Sequence, residues 1–157
     1  MVACGSKEPK PTTLAGRYTN GTENKVIDIS PDAIDTIALN ENGLFVHKVT
    51  LANPTMLKVR SGRIQTTLYL EPGDSSYFEV DANNADGISF SGSNSELNQN
   101  LRSRSKELQN IFRGWRDLFS LNLNEFGLKI DSISKESFQK TDSLKAKSKN
   151  FAEMEAN

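Results

Sequence analysis

The sequence contains one cysteine and one histidine, Cys4 and His47. A single cysteine cannot form a disulfide within the chain or a Cys-x-x-Cys redox motif. A single histidine excludes a metal site built from several imidazoles. The Gly-x-Ser-x-Gly turn of many hydrolases is also missing. We therefore expect no catalytic site, no metal and no cofactor, and predict that the chain is not an enzyme.

Strong charge and long apolar runs are lacking as well. The formal net charge is −1, so there is no concentrated basic surface of the kind that nucleic acid requires. No stretch approaches the ~18 consecutive apolar residues of a membrane-spanning helix. These features predict neither a nucleic-acid partner nor a transmembrane segment.

Three zones of different composition follow one another along the chain. Residues 1–12 are small, charged and proline-containing, which is typical of a flexible tether. Residues 13–92 contain short alternating segments separated by turns, and residues 93–157 contain no proline and have helical spacing. The last residues show no helix-stop signal, so we expect the helical segment to be truncated at its C-terminal end.

The middle zone alternates apolar and polar residues with period two, as strands with one buried face do. Turns are predicted at 40–43 and 71–74, where Asn, Gly and Pro occupy suitable positions. About seven or eight short strands predict a mainly β fold, an antiparallel sandwich or a partly open barrel. The predicted inward rows are Leu14-Gly16-Tyr18, Ile27-Ile29, Ile37-Leu39, Phe45-His47-Val49-Leu51, Leu57-Val59, Ile64-Thr66-Leu68-Leu70 and Ile88-Phe90, and residues 77–80 are predicted as a return strand.

The last zone predicts a long α-helix that begins after Ser93 or Asn94. Its apolar stripe runs from Leu97 to Leu118 and is interrupted by Arg104. We expect this stripe, including Trp115, to be buried, because helices in proteins gain most of their stability from packing. A break over residues 122–131 is expected to precede a second, more polar helix.

The first residues resemble the end of a lipoprotein signal peptide. Met1-Val2-Ala3-Cys4-Gly5 is similar to a lipobox, in which small residues precede the cysteine that becomes lipidated. Ser6-Lys7-Glu8 is similar to the export signal of surface lipoproteins in Bacteroides-group bacteria. This resemblance implies lipidation at Cys4, a membrane partner through the lipid anchor, and an exported outer-membrane or periplasmic lipoprotein of a Gram-negative bacterium.

The β zone resembles an N-terminal domain of unknown function from Bacteroides-group lipoproteins. The matching segments are 42–47, 52–55, 68–74 and 88–93, and the resemblance covers roughly residues 14–100. In that family a helical segment and a thioredoxin-like domain of the TlpA/ResA type follow. His47 departs from the family, which usually has an apolar or aromatic residue there, and the thioredoxin-like domain is missing from this chain.

Other polar residues have simple structural interpretations. His47 is expected in the core or at its edge, with one hydrogen bond. Residues 81–87 favour a polar β-turn over a calcium loop, because the fifth and twelfth positions are Ala85 and Gly92. Asp28, Asp32 and Asp35 are interpreted as solvated loop acids.

Three tripeptides form candidate O-glycosylation acceptors. They are similar to the Asp-Ser/Thr-apolar acceptor of periplasmic O-glycosylation in Bacteroides-group bacteria, and the residues that would be modified are Thr36, Ser132 and Ser143. Composition at average usage gives about one such match in a chain of this length. An Asp-Ser pair is also common at helix starts, which is the structural alternative for Ser132 and Ser143.

Two functions fit these observations. In the first, the chain is the non-catalytic accessory region of a lipid-anchored cell-envelope protein that resembles thiol–disulfide oxidoreductases, with a downstream thioredoxin-like domain in the same parent chain. In the second, it is a stand-alone surface module that binds a peptide or glycan. A reading frame that continues past Asn157 into a segment with Cys-x-x-Cys would distinguish them.

Overall fold

The computed structural model describes residues 8–21, 25–29, 34–61 and 64–155. Cys4 and Asp32, and with them the lipidation prediction, lie outside the described residues, as does the side chain of Trp115. The chain divides into two compact units, Met1–Gln99 and Asn100–Asn157, and the helix α1 (Ser95–Arg113) begins in the first and ends in the second.

Within the described residues, eight strands form the first unit. They are β1 (Lys10–Thr19), β2 (Lys25–Ile29), β3 (Ile34–Ala38), β4 (Leu44–Leu51), β5 (Thr55–Ser61), β6 (Ile64–Leu70), β7 (Ser75–Asp81) and β8 (Asn84–Gly92). Two four-stranded sheets result, one in the order β4-β1-β7-β8 and the other in the order β3-β2-β5-β6. The prediction of a β-rich domain followed by helices is confirmed, and the strands do not close into a barrel.

One strand pair departs from the antiparallel pattern. β1 pairs antiparallel with β4 but parallel with β7, with Thr13 opposite Ser75 and Thr19 opposite Asp81. Alternation along a strand defines its buried face but carries no information on the direction of its neighbour. The first sheet is therefore mixed, and the other described pairs are antiparallel.

The core lies between the two sheets and follows the predicted inward rows. Even-numbered residues of β1 and odd-numbered residues of β4 point inward, and β6 buries alternate residues in the same way. Phe45 and Phe78 meet edge to face with ring centroids 5.3 Å apart. The buried cluster consists of Leu14, Tyr18, Ile37, Phe45, Leu51, Leu57, Val59, Ile64, Leu68, Leu70, Phe78, Val80 and Ile88.

The strand structure begins before the predicted domain boundary at residue 13. β1 starts at Lys10, and the side chain of Thr12 is fully buried. Pro11 is accommodated because β7 pairs with β1 only from Thr13 onward, so β4 is the only described neighbour of β1 at that position.

Four helices follow in the part of the chain that the structure describes: α1 (Ser95–Arg113), α2 (Trp115–Phe119), α3 (Leu123–Lys147) and α4 (Lys149–Glu155). The predicted break over 122–131 is wrong, because α3 already begins at Leu123. Asn122 and Glu125 form a reciprocal capping box at its start. Gly127 lies inside α3, at a cost of about 1 kcal/mol relative to alanine. None of the described helices is long and apolar enough to cross a membrane.

Candidate functional site

His47 lies on the inward row of β4, as predicted. Its side chain is 16% exposed, and its Nδ1 lies 3.9 Å from Oδ2 of Asp35, which is largely exposed. Asp35 and Asp28 are not loop residues, which corrects the prediction: they lie in β3 and β2 and are direct cross-strand partners. In the described part of the chain, no group of three or more His, Cys, Asp or Glu residues could hold a metal ion.

The three candidate glycosylation acceptors are exposed and lie in regular structure. Thr36 is in β3 at the edge of a sheet, and its N–H donates to Oδ1 of Asp35 at 2.7 Å. Ser132 and Ser143 lie in α3, so neither is at the start of a helix. The hydroxyl of Ser143 donates to the carbonyl of Gln139 at 2.9 Å. Their exposure is compatible with modification, which stays a prediction.

The segment that superficially resembles a calcium loop is a tight turn between β7 and β8. Asp81 is opposite Asn84, and Oδ1 of Asp81 accepts hydrogen bonds from the Asn20 side chain and the Asn83 N–H. These two bonds, that of Asn20 first, lower the pKa of Asp81. Asp81 therefore links the end of β1 to this turn, which agrees with the predicted polar turn.

A shallow polar groove lies beside that turn, at one end of the sandwich. Its volume is about 660 Å³, and its walls come from the end of β1 and the β3–β4 turn. The Asn40 side chain accepts from the N–H groups of Asn42 and Leu44, which fixes one wall. Loops at the ends of sandwiches are common binding positions. We call this the loop-end groove, and its polar lining residues are Arg17, Thr19, Asn20, Asn40, Glu41 and Asn42.

A buried polar contact joins the start of α1 to the edge strand β6. Oδ1 of Asn98 accepts from the Tyr69 N–H at 2.6 Å, and its Nδ2 donates to the Tyr69 carbonyl at 3.1 Å. Asn98 is 1% exposed and Tyr69 is fully buried. The carboxamide presents to β6 the donor and acceptor that a neighbouring strand would present, so it covers an otherwise open sheet edge.

The residues between β6 and β7 extend this contact. The Thr12 hydroxyl donates to the Glu71 carbonyl and accepts from the Gly73 N–H. Asp74 Oδ2 accepts from the Glu71 N–H and from the Asn94 side chain. Asn94 directly precedes α1, but its side-chain amide donates to Asp74. The start of α1 is therefore tied to the sandwich by long-range polar bonds.

In the second unit the predicted burial of the α1 stripe is wrong in part. Leu118 is buried, but Leu108 is 39% exposed. Around the junction of α2 and α3 the exposed fractions rise to 60% for Phe119 and 86% for Leu123. Phe119 stacks on Phe126 with centroids 5.9 Å apart. We call the set Phe119, Leu121, Leu123 and Phe126 the α2–α3 corner.

A groove of about 330 Å³ runs between α1 and α3 within the second unit. Lys140 bridges the two helices, with Nζ 2.6 Å from Glu107 Oε2 and 2.7 Å from Glu136 Oε1. These hydrogen bonds, that of Glu107 first, raise the pKa of Lys140, and the bond from Lys140 lowers the pKa of Glu136. The groove combines these charges with apolar walls, and its lining includes Arg104, Leu108, Ile111, Lys129 and Ile133. We call it the α1–α3 groove.

Comparison with known proteins assigns no family. No protein-family model matches the chain, and no curated protein matches it. The conclusions about function below therefore depend on the residues and their geometry, together with the resemblance in the sequence.

Sequence reasoning missed the contacts of Asn98 and Thr12. Asn98 bonds to a residue 29 positions away, and Thr12 to one 59 positions away. One local signal was available, since Asn98 interrupts the first turns of an amphipathic helix next to Leu97 on its buried face. An asparagine at such a position requires polar partners.

Proposed function

We propose that this chain is a non-catalytic accessory module of a lipid-anchored cell-envelope protein and that its helical unit docks against a partner domain. The α2–α3 corner carries the proposal: large apolar side chains lie exposed at one helix junction, including Leu123 at 86%. Clustered exposed apolar residues are typical of interaction sites.

The β unit supports this proposal as a scaffold. Its apolar side chains form one buried cluster between the sheets. The polar bonds around Asn98 and Asp74 hold the first turn of α1 on the β unit. A module of this kind positions another domain and needs no reactive groups of its own.

The proposed partner is a downstream thioredoxin-like domain of the same parent chain, as the resemblance implies. Exchange between thiols and disulfides needs an attacking thiolate and a second, resolving cysteine. This chain has only Cys4, which we propose is consumed by the lipid anchor. The redox chemistry of the parent would then belong entirely to the docked domain.

The first experiment is to read the frame past Asn157 and assay the encoded protein for insulin reduction. We expect a segment with Cys-x-x-Cys, activity in the parent and none in residues 1–157. Turnover by residues 1–157 alone would overturn the accessory function. Inactivity of a parent that does contain Cys-x-x-Cys would contradict the redox assignment.

A second experiment tests docking itself. Phe119→Ser with Leu123→Ser should expose the downstream domain to limited proteolysis in the parent. Val46→Ser is the matched control, because Val46 is an exposed apolar residue of the β unit, at 66%. Equal proteolysis of both variants and the wild type would contradict docking through the α2–α3 corner.

The second candidate function is a stand-alone surface module that binds a peptide or glycan. The loop-end groove favours it, since about 660 Å³ lies within the range of ligand sites and amide, guanidinium and carboxylate groups line it. A reading frame that stops near Asn157, together with glycan or peptide binding that Arg17→Ala and Asn42→Ala abolish, would favour this function over the accessory one.

A further inference from the structure

Arg104 occupies a position on the α1 stripe that apolar residues otherwise fill. It lies three residues after Leu101 and four before Leu108, at the spacing that brings side chains to one helix face. Its Nε is buried and has no hydrogen-bond partner among the described residues. A buried N–H without an acceptor is unfavourable, and more so on a charged group. A cation in this place is therefore not explained by packing.

The surroundings of Arg104 are a groove rather than a packed core. Arg104 lines the α1–α3 groove and also an adjoining cavity of about 220 Å³. Leu108 and Ile111 from α1 and Ile133 from α3 supply apolar surface beside the guanidinium. A ligand in the groove would thus meet a cation next to an apolar wall.

Both carboxylates of the groove are already bound, since Glu107 and Glu136 each pair with Lys140. The groove lining has three cations and two carboxylates, so its formal charge is +1. Within the described residues, Arg104 is the groove cation whose buried Nε has no hydrogen-bond partner.

We propose that the α1–α3 groove binds a small carboxylate with an apolar body. The carboxylate would accept from the Arg104 guanidinium, whose planar fork matches two carboxylate oxygens. The apolar body would lie against Leu108, Ile111 and Ile133. One negative charge balances the groove, and about 330 Å³ is at the lower end of the volumes of small-molecule sites. This site is independent of the α2–α3 corner and of the accessory function.

Octanoate is the test ligand, titrated into the whole chain by calorimetry. We expect saturable binding with a Kd on the order of 10 mM, because octanoate has only about ten heavy atoms and that number limits the affinity at ordinary ligand efficiency. Arg104→Leu should weaken binding at least ~10-fold, as losing one charge-assisted hydrogen bond does. Arg104→Lys should restore part of the affinity, because it keeps the charge and loses the fork. Octan-1-ol should bind more weakly than octanoate.

Two controls separate binding from folding. Arg113→Leu removes a cation from the same helix but outside the groove, and it should bind octanoate like the wild type. Arg104→Leu completes the apolar stripe, so its melting temperature should equal or exceed that of the wild type. The proposal is overturned if the wild type shows no saturable binding, if Arg104→Leu binds equally well, or if octan-1-ol binds as tightly as octanoate.

Discussion

Two buried threonines, Thr12 and Thr66, differ in whether their hydroxyls have hydrogen-bond partners. Thr12 donates to one backbone carbonyl and accepts from one N–H, whereas Thr66 Oγ1 is buried without a hydrogen-bond partner among the described residues. Thr66 faces the core beside Tyr18, Phe45 and Val59. The same substitution at the two positions therefore separates the free energy of a satisfied hydroxyl from that of an unsatisfied one.

Thr66→Val should leave the free energy of unfolding unchanged or raise it by up to about 1 kcal/mol, because it removes a buried polar group that has no partner. Thr12→Val should lower it by about 1–3 kcal/mol, because it leaves the Gly73 N–H without its acceptor. Urea unfolding of both variants checks the pair. A larger loss of unfolding free energy for Thr66→Val than for Thr12→Val would contradict the hydrogen-bond partners assigned to the two hydroxyls.

Asn98 makes the buried polar contact between the start of α1 and β6. Asn98→Ala removes two buried hydrogen bonds, one from the Tyr69 N–H and one to the Tyr69 carbonyl, so we expect a loss of about 2–4 kcal/mol. Gln99→Ala, at an exposed neighbouring position of α1, should cost less than about 0.5 kcal/mol. Chemical denaturation monitored by circular dichroism measures both. A loss in Asn98→Ala no greater than that in Gln99→Ala would show that the contact is not stabilising.

At the scale of elements, strands were predicted more accurately than helix ends. The period-two rows predicted for β1, β4 and β6 are the buried rows of the structure, because one face of each strand must meet the core. The break predicted over 122–131 failed, because Asn122 and Glu125 form a capping box whose spacing was overlooked. The parallel pairing of β1 with β7 could not be predicted, because alternation does not indicate the direction of a neighbouring strand.

The apolar stripe of the first predicted helix shows a second limit of prediction from sequence. Helical periodicity identified the apolar face of α1, but it cannot reveal whether another element covers that face. Of the predicted stripe, Leu118, which lies in α2, is buried, whereas Leu108 in α1 is exposed. For the α1–α3 groove, the sequence shows Arg104 as an interruption of the apolar stripe. It does not show the groove that Arg104 lines.

The Lys140 bridge between α1 and α3 predicts a pH dependence of the helical unit. The pKa of Glu136 is lowered, so its contribution to stability is present above the ordinary value of 4.5 and is lost as the pH falls through the lowered pKa. The pKa of Lys140 is raised, so its contribution holds below 10.5 and is lost as the pH rises through the raised pKa. The effect should be small, because all three groups are exposed to solvent.

Helix content followed by circular dichroism at neutral pH and at pH 3 measures this dependence. Lys140→Met should reduce the change in helix content between the two pH values, because it removes the bridge. Lys149→Met, which removes an exposed ion pair within α4, is the control. An unaltered acid response in Lys140→Met would argue against the bridge as a link between α1 and α3.

At the scale of the whole molecule, the predicted lipid anchor would place the module at a membrane. We expect Cys4 to be the mature N-terminal residue and to carry two or three acyl chains in the native cell. Such chains contribute about 0.8 kcal/mol per buried CH₂ and hold a protein stably at a membrane, whereas one chain is marginal. Mass spectrometry of protein extracted from membranes checks this, and an unmodified Cys4 would contradict it.

The accessory function rests on docking through the α2–α3 corner. Hydrogen exchange of residues 115–130 tests it most directly, compared between this chain and the protein encoded by the complete reading frame. Docking should slow exchange at the start of α3 at least ~10-fold in the longer protein, since covering the corner suppresses local opening. Phe119→Ser with Leu123→Ser should abolish that protection. Equal exchange rates in the short and long proteins would contradict the account.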